Sequence, residues 1–124
     1  MELYYVRMYA DAEGESHFED AVMPLETADL APPMAPVSVS EPVAAARLVH
    51  FAGPQELDGG AWHPAPKRQF MYLLTGILEI TVSDGETRRF EPGSILLAED
   101  THGKGHSGRR LDPQGITAAL VQLD

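Results

Sequence analysis

Ile77-Leu78-Glu79-Ile80-Thr81-Val82-Ser83-Asp84-Gly85-Glu86-Thr87-Arg88-Arg89-Phe90 is the stretch that decides the fold class. Leu78, Ile80 and Val82 alternate with Ile77, Glu79 and Thr81. Successive side chains of a strand point to opposite faces, so this period of two predicts a half-buried β-strand over Ile77 to Ser83. Asp84-Gly85 follows it, a dipeptide that suits the positive backbone angles of a tight hairpin turn. The chain is then expected to return as a second strand over Glu86 to Phe90.

Outward from this hairpin the punctuation stays that of an all-β domain, with short apolar runs between turn signals. Pro92-Gly93 turns the chain into Ser94 to Ala98, and Asp112-Pro113-Gln114-Gly115 precedes a last strand, Ile116 to Leu123. On the other side, Gln69 to Thr75 ends at Gly76, and Val43 to Phe51 ends at Gly53-Pro54. No segment carries a helical period, and there are no internal repeats. The expected architecture is an all-β barrel spanning residues 43–124.

Residues 1–42 have a different character. They hold Pro24, Pro32, Pro33, Pro36 and Pro42, and LAPPMAPVSVSEP cannot carry a helix because proline lacks an amide donor and blocks the preceding turn. Leu3 to Tyr9 and His17 to Asp20 are rich enough in β-formers to be short strands. This segment is read as an extended N-terminal arm packing on the barrel or on a partner subunit, since it has too few large aliphatic side chains to fold alone.

The totals narrow the function. With 124 residues the chain can bury one core, and 44% hydrophobic with 23% charged residues is an ordinary globular balance. A formal charge of −10 argues against a nucleic-acid backbone or an anionic membrane surface as partner, because both are held by Lys and Arg. There is no cysteine, which excludes disulfides, thiolate metal sites and cysteine nucleophiles. MELYYVRMYADAEGE lacks the basic and apolar regions of a signal peptide, and no apolar run reaches membrane-spanning length, so a cytoplasmic location is expected. Ser94 and Ser107 lack a nucleophile-elbow context, and the glycines form no phosphate or dinucleotide loop.

Three histidines stand in informative surroundings. His63 opens HPAPKRQF, where Pro64 and Pro66 keep the chain extended. Gln69 follows six residues later, on the same parity as Met71 and Leu73, so His63 and Gln69 can face one interior with Met71 and Leu73 as its floor. His102 and His106 lie in EDTHGKGHSGR, where Gly103 and Gly105 permit unusual backbone angles or a close approach. Each residue also has a plainer reading. His63 and Gln69 can be hydrogen-bonded pocket residues, and His102 a surface-loop residue. Trp62 reads as packing at the barrel mouth or as a stacking platform. Arg88-Arg89 and Arg109-Arg110 read as solvated strand charges. His17 and His50 fall outside these motifs and read as structural or exposed.

The order and spacing of these residues resemble the cupin superfamily. Its first motif runs Gly, His-x-His, three or four residues, Glu, six residues, Gly. Here His63-x-Ala65, Gln69 and Gly76 keep the spacing, with Gly59 and Gly60 near the place of the leading glycine. Its second motif runs Pro-Gly, an apolar strand, Pro-x-Gly-x-x-His, then Asn after three residues. Here Pro92-Gly93, Ile95-Leu96-Leu97 and Gly103-Lys104-Gly105-His106 correspond, with Thr101 in place of the second Pro and Arg110 in place of the Asn. HPAP-R-Q-F and EDT-GKGH are also similar to signatures of a group of short bacterial cupins.

The resemblance covers roughly residues 43–124 and implies a double-stranded β-helix, the jelly-roll barrel. It also implies a divalent metal, Fe, Mn, Ni or Zn, held by His63, Gln69 and His106, where the family uses three His and one Glu. Two functions follow as expectations. One is a metal-dependent oxygenase, isomerase, cyclase or lyase acting on a small organic substrate, with His102 or Lys104 as the nearest acid–base group. The other is a metal-free ligand-binding or sensing module, favoured by Ala65 and Gln69 at ligand positions. In either, Gln69, Met71, Leu73 and Trp62 would contact the ligand. A homodimer is expected, because a short barrel leaves edges that must be covered.

Overall fold

A computed structural model describes residues 1–54 and 60–124, so Gly59 of the first motif lies outside the described residues. The described residues are all-β, with eleven strands and no helix. In chain order the strands are β1 (Glu2–Ala10), β2 (Ser16–Pro24), β3 (Glu26–Ala28), β4 (Val37–Val39), β5 (Arg47–Gly53), β6 (Gln69–Thr75), β7 (Leu78–Val82), β8 (Thr87–Phe90), β9 (Ile95–Ala98), β10 (His106–Arg110) and β11 (Ile116–Gln122). Consequently, among the described residues, no helix is long and apolar enough to cross a membrane.

The strands form a six-stranded sheet in the order β2-β1-β9-β6-β11-β5, a three-stranded sheet β10-β7-β8 and a small ribbon β3-β4. The all-β expectation holds, and the sheets stay separate rather than closing into one, since β2 and β5 end the large sheet while β10 and β8 end the small one. The two larger sheets instead bury one face each against the other. Period-two alternation selects those faces: Met8, Met71, Leu73, Leu96, Ala98, Ile116 and Ala118 come from the large sheet, and Leu78, Ile80, Val82 and Phe90 from the small one. Fully burying an aliphatic or aromatic side chain of this size contributes about 1.5–3 kcal/mol, so this shared layer accounts for most of the adhesion between the sheets.

The hairpin read from Asp84-Gly85 is present. Leu78 pairs with Phe90 and Thr81 with Thr87, and Gly85 takes a φ of 101° at the turn. Both N-terminal strands run longer than the sequence suggests. Glu2–Ala10 and Ser16–Pro24 form a nine-pair antiparallel hairpin, and β1 also lies parallel to β9, pairing Val6 to Met8 with Leu96 to Ala98. β1 and β2 therefore belong to the large sheet and supply Met8 and Phe18 to the core.

The β1–β2 turn is tied to the loop before β10 in several ways. Lys104 N donates to Gly14 O at 2.9 Å, and the Ser16 hydroxyl donates to Gly105 O at 2.7 Å. His17 closes the same corner. Its Nε2 meets Asp11 Oδ2 at 2.7 Å and its Nδ1 meets Asp84 Oδ2 at 2.8 Å. Carboxylates only accept, so both ring nitrogens donate when His17 is protonated. Asp11 and then Asp84 hold its pKa above the ordinary histidine value. His17 and the backbone of Glu15 and Glu13 hold Asp11 below its usual range, and the Glu86 amide with His17 does the same for Asp84.

The two signs define a window. A raised histidine contributes stability that is complete below its unfolded value of about 6.5 and lost as pH rises through the folded value. The depressed carboxylates contribute stability that is lost only as pH falls through their folded values. The urea midpoint is therefore expected to fall as pH rises above about 6.5 in the wild type, and to fall less in His17→Gln. Equal pH dependence in the two proteins would remove His17 as the cause.

Candidate functional site

A cavity of about 290 Å³ lies between the two sheets. Its walls are mostly apolar, from Met8, Phe51, Met71, Leu78, Ile80, Leu96, Ile116 and Leu120, with Ala65 and Ala98. Its polar groups are His63, Gln69, His106 and Arg110. The volume is at the lower end of small-molecule pockets, and an apolar wall with a few polar groups is their usual makeup.

Local sequence explains how these groups come together. His63 lies ahead of β6 and forms an isolated antiparallel bridge with His106, the two residues exchanging backbone hydrogen bonds of 3.0 Å each. Their rings sit 4.7 Å apart, tilted by 60°. The bridge requires Gly105, whose φ is 72° and where an added Cβ would sit 2.2 Å from His63 C and O. Along β10, alternation sends His106, Gly108 and Arg110 toward the core, opposite Val82, Ile80 and Leu78. Gly108 leaves open the space between the two side chains, since a Cβ there would meet Leu78 Cδ1 only at 3.6 Å.

His106 is the most constrained of the polar groups. Its Nδ1 lies 2.6 Å from Oδ2 of Asp100, which has 0% of its surface exposed. Because a carboxylate accepts, Nδ1 is the donor in this pair and Nε2 is the ring's other nitrogen. Asp100 Oδ1 has no hydrogen-bond partner among the described residues. The backbone O of Asp100 accepts from Ala65 N at 3.0 Å, which fixes the carboxylate's position from the β6 side. His63 Nδ1 donates to Pro64 O at 2.9 Å, so its Nε2 too is the remaining nitrogen. Gln69 is buried, and its Oε1 accepts from Gln122 Nε2 at 3.1 Å across the β6–β11 register. That bond turns the Gln69 amide nitrogen away from Gln122.

Of the residues expected from the sequence, the cavity therefore brings together His63, Gln69, Met71 and His106. The others lie elsewhere. Leu73 is 1% exposed within the core and does not line the cavity. Trp62 is 52% exposed and outside the lining. His102 is exposed on the turn before β10. Lys104 is exposed and paired with Glu15 at 2.7 Å, which holds it on the outer side of the β1–β2 turn. Neither His102 nor Lys104 is among the cavity's lining residues. Arg110, read from sequence as a solvated charge, is a cavity residue and also donates to Pro54 O at 3.1 Å.

Sequence reasoning missed Asp100, Gln122 and Arg110. Arg110 shares the parity of His106, which would have placed it inward had β10 been read as a strand. Asp100 and Gln122 carry no comparable signal, because their roles come from single side-chain partners, His106 and Gln69, that no periodicity marks.

The donors do not make up the metal set the resemblance implies. Among the described residues no three His, Cys, Asp or Glu side chains group as a metal site. Two neutral imidazoles and an amide oxygen already bonded to Gln122 give a dication no charge compensation in an apolar cavity. The Asp100 carboxylate is engaged with His106 Nδ1 instead. A scan against family models finds no match for the chain, and a search of curated proteins finds none either.

Proposed function

We propose that this chain is a cupin-type, jelly-roll protein that binds a small organic molecule in the cavity between its sheets, without a resident metal. The observation that carries the reading is the lining itself: His63, Gln69 and His106 converge on an otherwise largely apolar cavity of about 290 Å³. A compact ligand with an apolar body and one oxygen-bearing end matches this distribution. The apolar body is driven in by burial, and the polar end replaces its water contacts with Gln69 and the imidazoles. The proposal includes a homodimer, in which a second copy covers outward residues such as Leu48 and Leu74, 61% and 51% exposed.

The test is thermal-shift screening of small organic acids, sugars and phenolics on protein purified without chelator and freed of any histidine tag. Ligand-induced stabilisation is expected to be the same in chelator and in added divalent metal, with elemental analysis finding metal well below one per chain. Stoichiometric metal that resists chelator and disappears in His63→Ala would overturn the metal-free reading and favour the metal-dependent enzyme.

A further inference from the structure

We propose that His106 is a general base, aimed by Asp100, that removes a proton from a carbon of a compact apolar ligand while the Gln69 amide steadies the oxygen that gains charge. The inference rests on the cavity being the ligand site. It adds a reaction class, proton transfer at a carbon acid, to what is otherwise a binding reading.

Four observations converge on it. First, Asp100 is wholly buried with one carboxylate oxygen bonded to His106 and the other without a partner among the described residues. An orphaned buried oxygen costs stability, so packing alone does not account for a carboxylate here. A carboxylate on Nδ1 does fix the tautomer that leaves the Nε2 lone pair free to take a proton.

Second, His106 is held from several sides. The reciprocal 3.0 Å bonds with His63 fix its backbone, and the Ser16 hydroxyl fixes Gly105 O at 2.7 Å. Its side chain is only 12% exposed, and a base held in place with little water around it has little reorganisation left to do. Third, the walls around it are largely apolar, which strengthens an ion–dipole interaction with a developing charge. Fourth, Gln69 lines the cavity, and the Gln122–Gln69 bond of 3.1 Å occupies its amide oxygen, so the group it has left to offer a ligand is the amide nitrogen, a donor. A base and a donor held in one largely apolar cavity are what proton removal from a carbon acid requires. Asp100 does not reach the cavity lining and is a positioning residue.

The probe is nitrobenzisoxazole, a carbon acid small enough for the cavity. His106 Nε2 takes the ring C–H proton, the C–H electron pair becomes part of the nitrile triple bond, and the N–O bond breaks to release coloured cyanonitrophenolate. No further reactant is consumed. Turnover should saturate and exceed that of free imidazole, and should fall by roughly a hundredfold or more in His106→Gln. Gln69→Leu should lose roughly tenfold, and Gly108→Leu should block both binding and turnover by filling the space between His106 and Arg110.

Nitrogen-15 NMR of the unaltered protein should find the His106 proton on Nδ1. In Asp100→Asn, part of that signal should shift to the Nε2–H tautomer and turnover should drop with it, even where melting temperature is unchanged. An Nε2–H tautomer in the wild type overturns the proposal whether or not any variant folds. So does a rate no greater than that of imidazole, or turnover that survives His106→Gln while the probe still binds. Those results leave the cavity reading standing. Binding that survives Gly108→Leu places the probe elsewhere and removes both.

Discussion

Gly105→Ala is expected to destabilise the protein by about 3–4 kcal/mol and to abolish ligand binding with it. Two costs add. At a φ of 72° an L-residue with a Cβ carries strain of about 1–2 kcal/mol. The new methyl would also lie 2.2 Å from His63 C and O and 2.4 Å from Pro64 N, all backbone atoms. These cannot swing aside as the end of a side chain would, so the His63–His106 bridge must open. Its two 3.0 Å backbone bonds are then lost, at about 1 kcal/mol each. Gly85→Ala is the matched control. Its φ is 101°, so it carries the strain, but nothing lies within 4 Å of the added Cβ. Urea unfolding of the two variants separates the terms, and a Gly105 loss no larger than that of Gly85 would show that the bridge does not need the glycine.

Leu73→Ala and Trp62→Ala should differ in the opposite sense to their sizes. Leu73 is 1% exposed, on the buried face of β6, with Gly93 N donating to its carbonyl at 2.9 Å. Truncating a leucine in such a place leaves a void that neighbouring strands cannot fill, and the expected cost is about 2–4 kcal/mol. Trp62 is 52% exposed and belongs to neither the core cluster nor the cavity lining, so its removal should change stability by less than about 0.5 kcal/mol. Neither change should alter affinity for a cavity ligand at a temperature where both proteins are folded. A tryptophan variant that loses affinity while keeping its urea midpoint would restore the stacking role that the sequence left open.

The contrast shows what was legible in the chain. Alternation in Leu78, Ile80 and Val82 assigns a face, and the turn at Asp84-Gly85 assigns the partner, since both are local properties. The same parity argument correctly put Gln69, Met71 and Leu73 on one inward face. It could not say that Leu73 lies past the end of the cavity, because depth along a strand depends on the facing sheet. The β10 segment was hidden by its composition. HSGRR has no apolar alternation, so Arg110 read as a solvent charge although it shares an inward register with His106. Parallel pairing of β1 with β9 joins residues some ninety positions apart and has no sequence signature. Asp100 is hidden because its neighbours come from separate segments: the Ala65 amide donates to its backbone oxygen, and His106 Nδ1 meets its carboxylate.

Titration of four variants tests most directly whether the cavity is the ligand site. With the strongest organic acid, sugar or phenolic found by thermal shift, Gln69→Leu and His106→Ala should each weaken binding by roughly tenfold to a hundredfold, the cost of one buried hydrogen bond. Gly108→Leu should bind nothing measurable. Arg88→Ala should match the wild type within error, because Arg88 is committed to Glu86 and Asp20, each at 2.6 Å, and does not line the cavity. If Arg88→Ala weakens binding as much as the three cavity changes do, the ligand site lies outside the cavity and the account is contradicted.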